Sequence, residues 1–523
     1  MDRIPEVAPP YVNPWLVSLS VMMGTFMVVL DTTVVNVSLP HIAGSLSASI
    51  EESTWALTSY LAANAVILPL TGWLANHFGR KRLLMISVVG FTTASFLCGL
   101  AVNLPMLIVC RIVQGMTGGV MQPISQAIML EAFAPRERGK AMAFFGVGIV
   151  VAPILGPVLG GWLTDTYSWR WIFYINIPFG ALSLFMTSSF IFDPRYIRRG
   201  TARIDYWGIG LLAVGIGALQ IGLDKGQQED WFSSNWITAL LVTAVMVLPL
   251  LVIRELRVRN PVIDLHVFRE RTYSTGVVLM TLMGFVLYGS LVLLPILLQT
   301  LMGYPPLEAG IAMAPRGVGS LLAMPLVGIM MARIDPRKLL MVGYMVGGFS
   351  LFWFARISLE AGYWNIFWPQ LVQGIGLGLL FVPLATVTMD RIPKEKMGNA
   401  TSLFNLMRNI GGSTGIAVIG TILTRQQQVH TNVLGARINP YDMDSQIMVQ
   451  RMKTMFLGQG ADAVTATKRT YAALFGMTQQ QAGILSFNDA FRLLGLIFVL
   501  LTPLVLLMRR PGTGHHPPPA PPD

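Results

Sequence analysis

Charge is scarce in this chain. Only 12% of its 523 residues are Asp, Glu, Lys or Arg, against 53% that are hydrophobic, whereas a water-soluble chain carries about 25% charge. That shortage excludes a large soluble body. Cysteine is almost absent: Cys98 and Cys110 lie in apolar stretches, form neither a disulfide framework nor thiolate metal spacing, and read as small packing residues. The 6 histidines are scattered, His41, His77 and His430 among them, so no metal site is expected. No Gly-x-x-x-x-Gly-Lys-Ser/Thr run occurs, which excludes the usual nucleotide-driven machinery. No catalytic grouping emerges either, so the chain reads as a non-enzyme without a bound cofactor.

What is present is apolar length. Fourteen stretches near 20 residues, from about 15–39 to about 490–508, are each long enough to cross a bilayer. The expected fold class is an all-α membrane protein with 14 transmembrane helices. The net charge of +11 is not gathered into a nucleic-acid patch. It sits in short loops on one side: Arg80-Lys81-Arg82, Arg136/Arg138/Lys140, Arg195/Arg198/Arg199/Arg203, Arg254/Arg257/Arg259, Arg333/Arg337/Lys338, Arg391/Lys394/Lys396 and Arg509-Arg510. The short loops opposite carry essentially only Lys225. By the positive-inside rule both termini are expected in the cytoplasm. The first apolar run is too long for a cleaved signal, lacks an early basic region and contains Asp31, so it reads as a retained helix.

The chain also repeats itself. Arg111-Ile-Val-Gln114-Gly115 followed by Pro123 matches Gln370-Leu-Val-Gln373-Gly374 followed by Pro383. Gly72…Gly79-Arg80-Lys81-Arg82-Leu83 likewise matches Gly328…Arg333-Ile-Asp335-Pro336-Arg337-Lys338-Leu339. The expected organisation is a cytoplasmic N-terminus over 1–14, a six-helix half over 15–192, and a linker with two inserted helices over 193–272. A second six-helix half follows over 273–508, then a disordered cytoplasmic tail over 509–523. Internal repeats of this kind characterise secondary transporters, whose sites lie between the repeats at the midplane. A long outer loop is expected over 425–489, within which Ile447, Met448, Met452, Met455 and Phe456 share one helical face. That face is either a docking surface or the inner side of a small cap folded onto the protein itself.

An acid at membrane depth is expensive and survives where it meets a cavity or a partner. Asp31 lies about nine residues from the outer end of its span, roughly 13 Å, and Arg111 about six residues from the outer end of the fourth, roughly 9 Å. The two can therefore meet. Arg cannot lose its proton at physiological pH, so a cycling proton would sit on Asp31; a permanent ion pair is the alternative. Asn36, Tyr60, Asn64, Gln114, Gln122, Gln126, Gln299, Arg316, Gln373, Asn405 and Arg408 are the other polar groups in the spans. Several are expected to line a central substrate cavity, the others to bond between helices. One acid against Arg111, Arg316 and Arg408 favours neutral or anionic amphiphiles over divalent organic cations. In the fifth span, Gly156, Gly160 and Gly161 permit close helix approach and Pro153 and Pro157 invite a bend.

Four of these stretches carry a recognisable pattern. Gly72-Trp73-Leu74-Ala75-Asn76-His77-Phe78-Gly79-Arg80-Lys81-Arg82 resembles the cytoplasmic loop signature of the major facilitator superfamily, and Leu107-Ile-Val-Cys-Arg111-Ile-Val-Gln114-Gly115 its fourth-helix arginine motif. Gly148…Pro153-Ile-Leu-Gly156-Pro157-Val-Leu-Gly160-Gly161 resembles the fifth-helix motif of its antiporters. Leu30-Asp31-Thr32-Thr33-Val34-Val35-Asn36-Val37 is similar to the first helix of fourteen-helix drug:proton antiporters of the EmrB/QacA type, as is Trp169-Arg170-Trp171-Ile172-Phe173-Tyr174-Ile175-Asn176-Ile177-Pro178. The long outer segment with Gly476-Met477-Thr478-Gln479-Gln480-Gln481 leans toward the EmrB branch.

The resemblance implies a major facilitator fold, multidrug efflux across the inner membrane driven by the proton-motive force, and coupling through Asp31 and Arg111. It implies conformational roles for Gly72, Asn76, Gly79, Arg80, Pro153, Gly156, Pro157, Gly160 and Gly161. Small hydrophobic substrates, a periplasmic membrane-fusion adaptor and an outer-membrane channel are the implied partners. One departure stands out: Asn76 occupies a position where the family has an Asp that latches the cytoplasmic side, while Asp335 is retained in the second copy. A lipid or cell-envelope precursor translocator on the same fold, and a non-transporting sensor or scaffold, are the rival readings.

Overall fold

The computed structural model describes residues 13–134, 136–193, 205–258, 261–439 and 441–509. The terminal segments, together with Arg195, Arg198, Arg199, Arg203, Arg259 and Arg510, lie outside the described residues. The described chain is helical from end to end. Its elements are α1 (Pro14–Ser45), α2 (Glu51–Phe78), α3 (Arg80–Gly99), α4 (Leu104–Ala132), α5 (Arg138–Thr166), α6 (Trp171–Phe190), α7 (Tyr206–Lys225) and α8 (Asn235–Arg257). There follow α9 (Arg271–Leu301), α10 (Pro306–Met330), α11 (Pro336–Phe354), α12 (Tyr363–Met389), α13 (Met397–Arg437), α14 (Met443–Gly458) and α15 (Ala463–Leu501).

Among the described residues, 13 helices are long and apolar enough to cross a membrane. The remaining expected span is α11, a helix of 19 residues whose first turn carries Arg337 and Lys338 and so dilutes its apolar character. With it the helices match a fourteen-span chain. Their starts are written locally: Asn13, Asn103, Asp205, Asp335, Asp442 and Asp462 each accept a hydrogen bond from a backbone N–H of the first turn. Those bonds satisfy donors that a helix otherwise leaves open.

The two halves pack alike. In the first, α1 lies against α5 and α6, and α4 against α2 and α3; in the second, α9 lies against α13 and α15, and α12 against α10 and α11. Close approach within each half rests on glycine. A Cβ on Gly115 of α4 would overlap the Tyr60 carbonyl oxygen of α2, and one on Gly374 of α12 would overlap the Arg316 carbonyl oxygen of α10. Helix association in lipid depends on such backbone contact, because apolar surface gains little there by leaving one oily phase for another.

The segment 425–489, expected as a long loop, is helical for most of its length. Helix α13 runs on to Arg437, α14 follows, and α15 begins at Ala463. It does not fold as a cap over its own apolar face: no residue of α14 is buried, and Ile447, Met448 and Met455 are each at least 40% exposed. Over the same stretch α15 does bury side chains, Ala466, Thr470, Leu474 and Thr478 among them. The expectation of a long loop came from a fall in hydropathy, yet Ala, Gln, Met and Lys favour helix wherever the chain runs.

Candidate functional site

Asp31 sits on α1 with no exposed surface, and its carboxylate is the centre of a closed polar cluster. Arg111 Nη1 on α4 donates to its Oδ2 at 2.6 Å. Gln114 Nε2, one turn further along α4, donates to Oδ1 at 2.9 Å, and Asn176 Nδ2 on α6 donates to the same oxygen at 2.8 Å. Arg111 is held from three other directions. Its Nε donates to the Ala56 carbonyl oxygen at 3.0 Å, its Nη1 also reaches Gln114 Oε1 at 2.8 Å, and its guanidinium carbon lies 4.1 Å from the centre of the Tyr60 ring. Asn176 is itself fixed by Ser95 Oγ at 2.9 Å.

Charge-assisted bonds of this kind are about twice as strong as neutral ones. Breaking a buried pair by removing one partner costs about 3–5 kcal/mol, because the other charge is left without compensation. Each charge of the cluster is therefore held in place by the other. The helix that supplies Asp31 is seated by α5: a Cβ on Gly160 would come to 3.0 Å of the Val34 carbonyl oxygen, and one on Gly156 would overlap the Thr33 side chain. By contrast, a Cβ on Gly161 would meet nothing within 4 Å. Pro153 and Pro157 lie within the same unbroken helix.

The remaining polar residues of the spans separate into groups. Gln126 and Asn405 join across the halves, Asn405 Nδ2 donating to Gln126 Oε1 at 2.7 Å. Arg408 Nη2 donates across the same divide to Gln122 Oε1 at 3.0 Å. Arg316 and Gln373 stay within the second half and both reach Ser290 Oγ, at 3.1 and 3.3 Å. Tyr60 serves the Asp31 cluster and Asn64 is half-buried on the same helix. Asn36 and Gln299 are exposed and bond to no described residue; nothing in the structure joins them to the other polar groups.

At the end bearing the basic loops the halves meet tightly. A Cβ on Gly72 would come to 2.6 Å of the Asn399 backbone, and Arg80 Nη2 reaches the Lys394 carbonyl oxygen at 3.5 Å. Arg80 is 2% exposed and pairs with Glu131 at the end of α4. Asn76, in contrast, is exposed and caps nothing, since the residue preceding α3 is Gly79, whose φ of 87° suits it to that corner. Asp335 caps α11 and pairs with Arg337 at 3.1 Å. Nearby, burial pushes the Asp264 carboxyl up, but Lys396 Nζ at 2.7 Å and the His266 backbone N–H outweigh it and hold the group below the usual carboxylate range.

Contact between the halves fades toward the other end. Along α5 and α10, Gly139 faces Met331, Gly146 faces Met324 and Gly317 faces Ile154. The same register continued would bring Gly161 toward Gly310, yet a Cβ on either meets nothing within 4 Å. The inserted helix α7 spans this divide: Asp224 bonds Thr58 and Lys225 bonds Thr54 on α2, while Gln220 Nε2 donates to Ser413 Oγ on α13 at 2.8 Å. Sequence reasoning missed Asn176, Glu131 and Ser290. Asn176 was detectable as the lone amide in an apolar run, Glu131 as the acid closing α4; Ser290 carried no signal.

A two-half helical frame with an ion pair buried inside its first half is that of a secondary transporter. Residues 21–416 match the Major Facilitator Superfamily model, and the chain belongs to that superfamily, as a protein of the EmrB type. It is 39% identical to the multidrug export protein EmrB of Haemophilus influenzae over 96% of this chain and 97% of that one. It is 36% identical to the fatty acid resistance protein FarB of Neisseria gonorrhoeae over 95% and 97%. Among solved structures, that of the proton:xylose symporter XylE superposes with a TM-score of 0.62 at 15% identity, covering 95% of this chain and 96% of that one.

Proposed function

We propose that this protein exports hydrophobic compounds, neutral or anionic amphiphiles above all, across the inner membrane by alternating access in exchange for protons. The observation that carries the reading is the buried carboxylate of Asp31 under three donors, one of them an arginine that cannot titrate. Export by the EmrB relatives and the named fatty acid resistance of FarB support the substrate class; a fatty acid is an anionic amphiphile. Asp31 carries the proton and Arg111 answers its charge. When the proton leaves, the ion pair reforms and draws α1 and α4 together; when it returns, that tie is lost. Each proton moved through the membrane potential contributes about 2.3 kcal/mol per 100 mV.

The positive-inside bias supports termini in the cytoplasm, so the tightly packed basic end is the inner gate and the parted end faces outward. The exposed apolar residues of α14 support contact with a periplasmic adaptor, which co-purification with the full chain tests. The function itself is tested in proteoliposomes. Substrate-induced proton release is expected from the wild type and its loss in Asp31→Asn. Full proton-coupled export by that variant would remove Asp31 from the role, and good export of dications without weak acids would overturn the substrate class. Lipid scrambling without drug export would favour the translocator reading.

A further inference from the structure

The two halves hold matching clusters with one member missing. In the first half, Gln114 donates to the Asp31 carboxylate on α1, and Arg111 supplies the positive charge. In the second, the corresponding Gln373 donates instead to the hydroxyl of Ser290 on α9. The place of Arg111 is taken by Gln370, whose Oε1 is buried with no partner among the described residues. Positive charge returns from another helix. Gly115 packs against the Tyr60 backbone and Gly374 against that of Arg316, so Arg316 stands where the first half has Tyr60.

The second cluster thus keeps a guanidinium and an amide donor but no carboxylate. Arg316 is 8% exposed, and its Nη2 reaches only the Ser290 hydroxyl at 3.1 Å; among the described residues it forms no ion pair. Arg111, with no exposed surface, has a carboxylate at 2.6 Å. A buried charge without a counter-charge is unfavourable, and at membrane depth it marks a place where a ligand or ion completes the set. Arg408 is the other buried guanidinium among the described residues of this half. Its Nη2 donates to amide oxygens of Gln122 and Asn409 at 3.0 and 3.4 Å, which gives it a task at the contact between halves.

We propose that Arg316, Ser290 and Gln373 form the docking site for the carboxylate head of an amphiphilic substrate. The head takes, in the second half, the part that the Asp31 carboxylate plays in the first, accepting from the guanidinium and the glutamine amide, while the Ser290 hydroxyl, which donates to the Leu287 carbonyl oxygen at 2.9 Å, turns from that oxygen to the head. A planar guanidinium suits a carboxylate better than a point charge does. The apolar tail lies toward the divide between the halves. This rests on the export reading and adds to it the atoms that select anions.

The test measures binding of dodecanoate and of dodecanol to the full chain in nanodiscs at neutral pH. The wild type is expected to bind dodecanoate about tenfold or more tightly than dodecanol, the range of a charge-assisted hydrogen bond. Arg316→Gln is expected to bring dodecanoate down to the level of dodecanol and leave dodecanol unchanged. Ser290→Asp, which keeps the guanidinium but supplies an internal carboxylate, is expected to do the same, whereas Arg408→Gln keeps the preference. Preference retained in Arg316→Gln, or lost in Arg408→Gln alone, overturns the site. A wild type with no preference overturns it too. The export reading is judged separately, by Asp31-dependent proton release with a neutral hydrophobic substrate.

Discussion

At the scale of residues, the chemistry depends on how few charges the membrane part contains. Arg111 Nε and Nη1 are committed to different partners, the Ala56 carbonyl oxygen and the Asp31 carboxylate. A lysine in its place can satisfy one direction at a time, so Arg111→Lys is not a conservative change. The more diagnostic experiment is a pair of deletions. Asp31→Asn and Arg111→Gln, made singly, each leave a buried charge or an unmatched set of donors and are expected to lower stability by about 3–5 kcal/mol. The double variant removes both charges and is expected to recover most of that loss. Thermal unfolding of the detergent-solubilised protein checks it; simple additivity of the two losses would show that the pair is not energetically coupled. Asp31 and Arg111 were legible in the sequence because helical rise alone sets their depths. Asn176 shows in the sequence as a lone amide in an apolar run, but its bond to Asp31 does not, since it depends on how α6 turns against α1, which no spacing within α6 records.

At the scale of elements, the fifth-helix motif separates into parts that its sequence shows as one. Gly156 and Gly160 face α1 so closely that a Cβ would strike Thr33 or the Val34 backbone, while Gly161 faces open space. Gly160→Val is therefore expected to push α5 off the helix that bears Asp31. Overpacking of this sort costs about 1–3 kcal/mol, and a shift of the coupling helix is expected to lower transport at least about tenfold. Gly161→Ala is expected to leave transport unchanged. Initial export rates in proteoliposomes, normalised to inserted protein, compare the two; equal losses would mean that the motif acts through backbone flexibility and not through contact. The helices themselves were legible from apolar length. The outer segment was not, because hydropathy reports where the bilayer ends and says nothing of where a helix does. Its α13 and α15 continue past that boundary on helix-favouring side chains.

At the scale of the whole molecule, the arrangement of contacts between halves defines a single state and the way out of it. The inner gate of the proposed cycle is made of backbone against backbone at Gly72 and Asn399, with Arg80 and Glu131 paired beside it. Asn76, which stands where the resemblance implies a latching acid, is exposed here. The latch that remains is therefore steric first and electrostatic second. Gly72→Val has no room, since even a Cβ would stand 2.6 Å from the Asn399 backbone. Both sides of that contact are main chain, so the neighbour cannot rotate away and the halves must part. The cost falls on this state alone, and about 1–3 kcal/mol of overpacking shifts a two-state balance by roughly five- to a hundred-and-fifty-fold toward the inward-open form. Spin labels on exposed Arg82 and Lys394, in a chain whose Cys98 and Cys110 have been replaced, read that balance as the fraction of long distances. Gly72→Val is expected to raise that fraction strongly and Asn76→Asp to lower it by restoring a charge at the gate. If Asn76→Asp moved the distribution and Gly72→Val did not, the gate would be electrostatic after all, and the tight approach at Gly72 would be packing without consequence for the cycle.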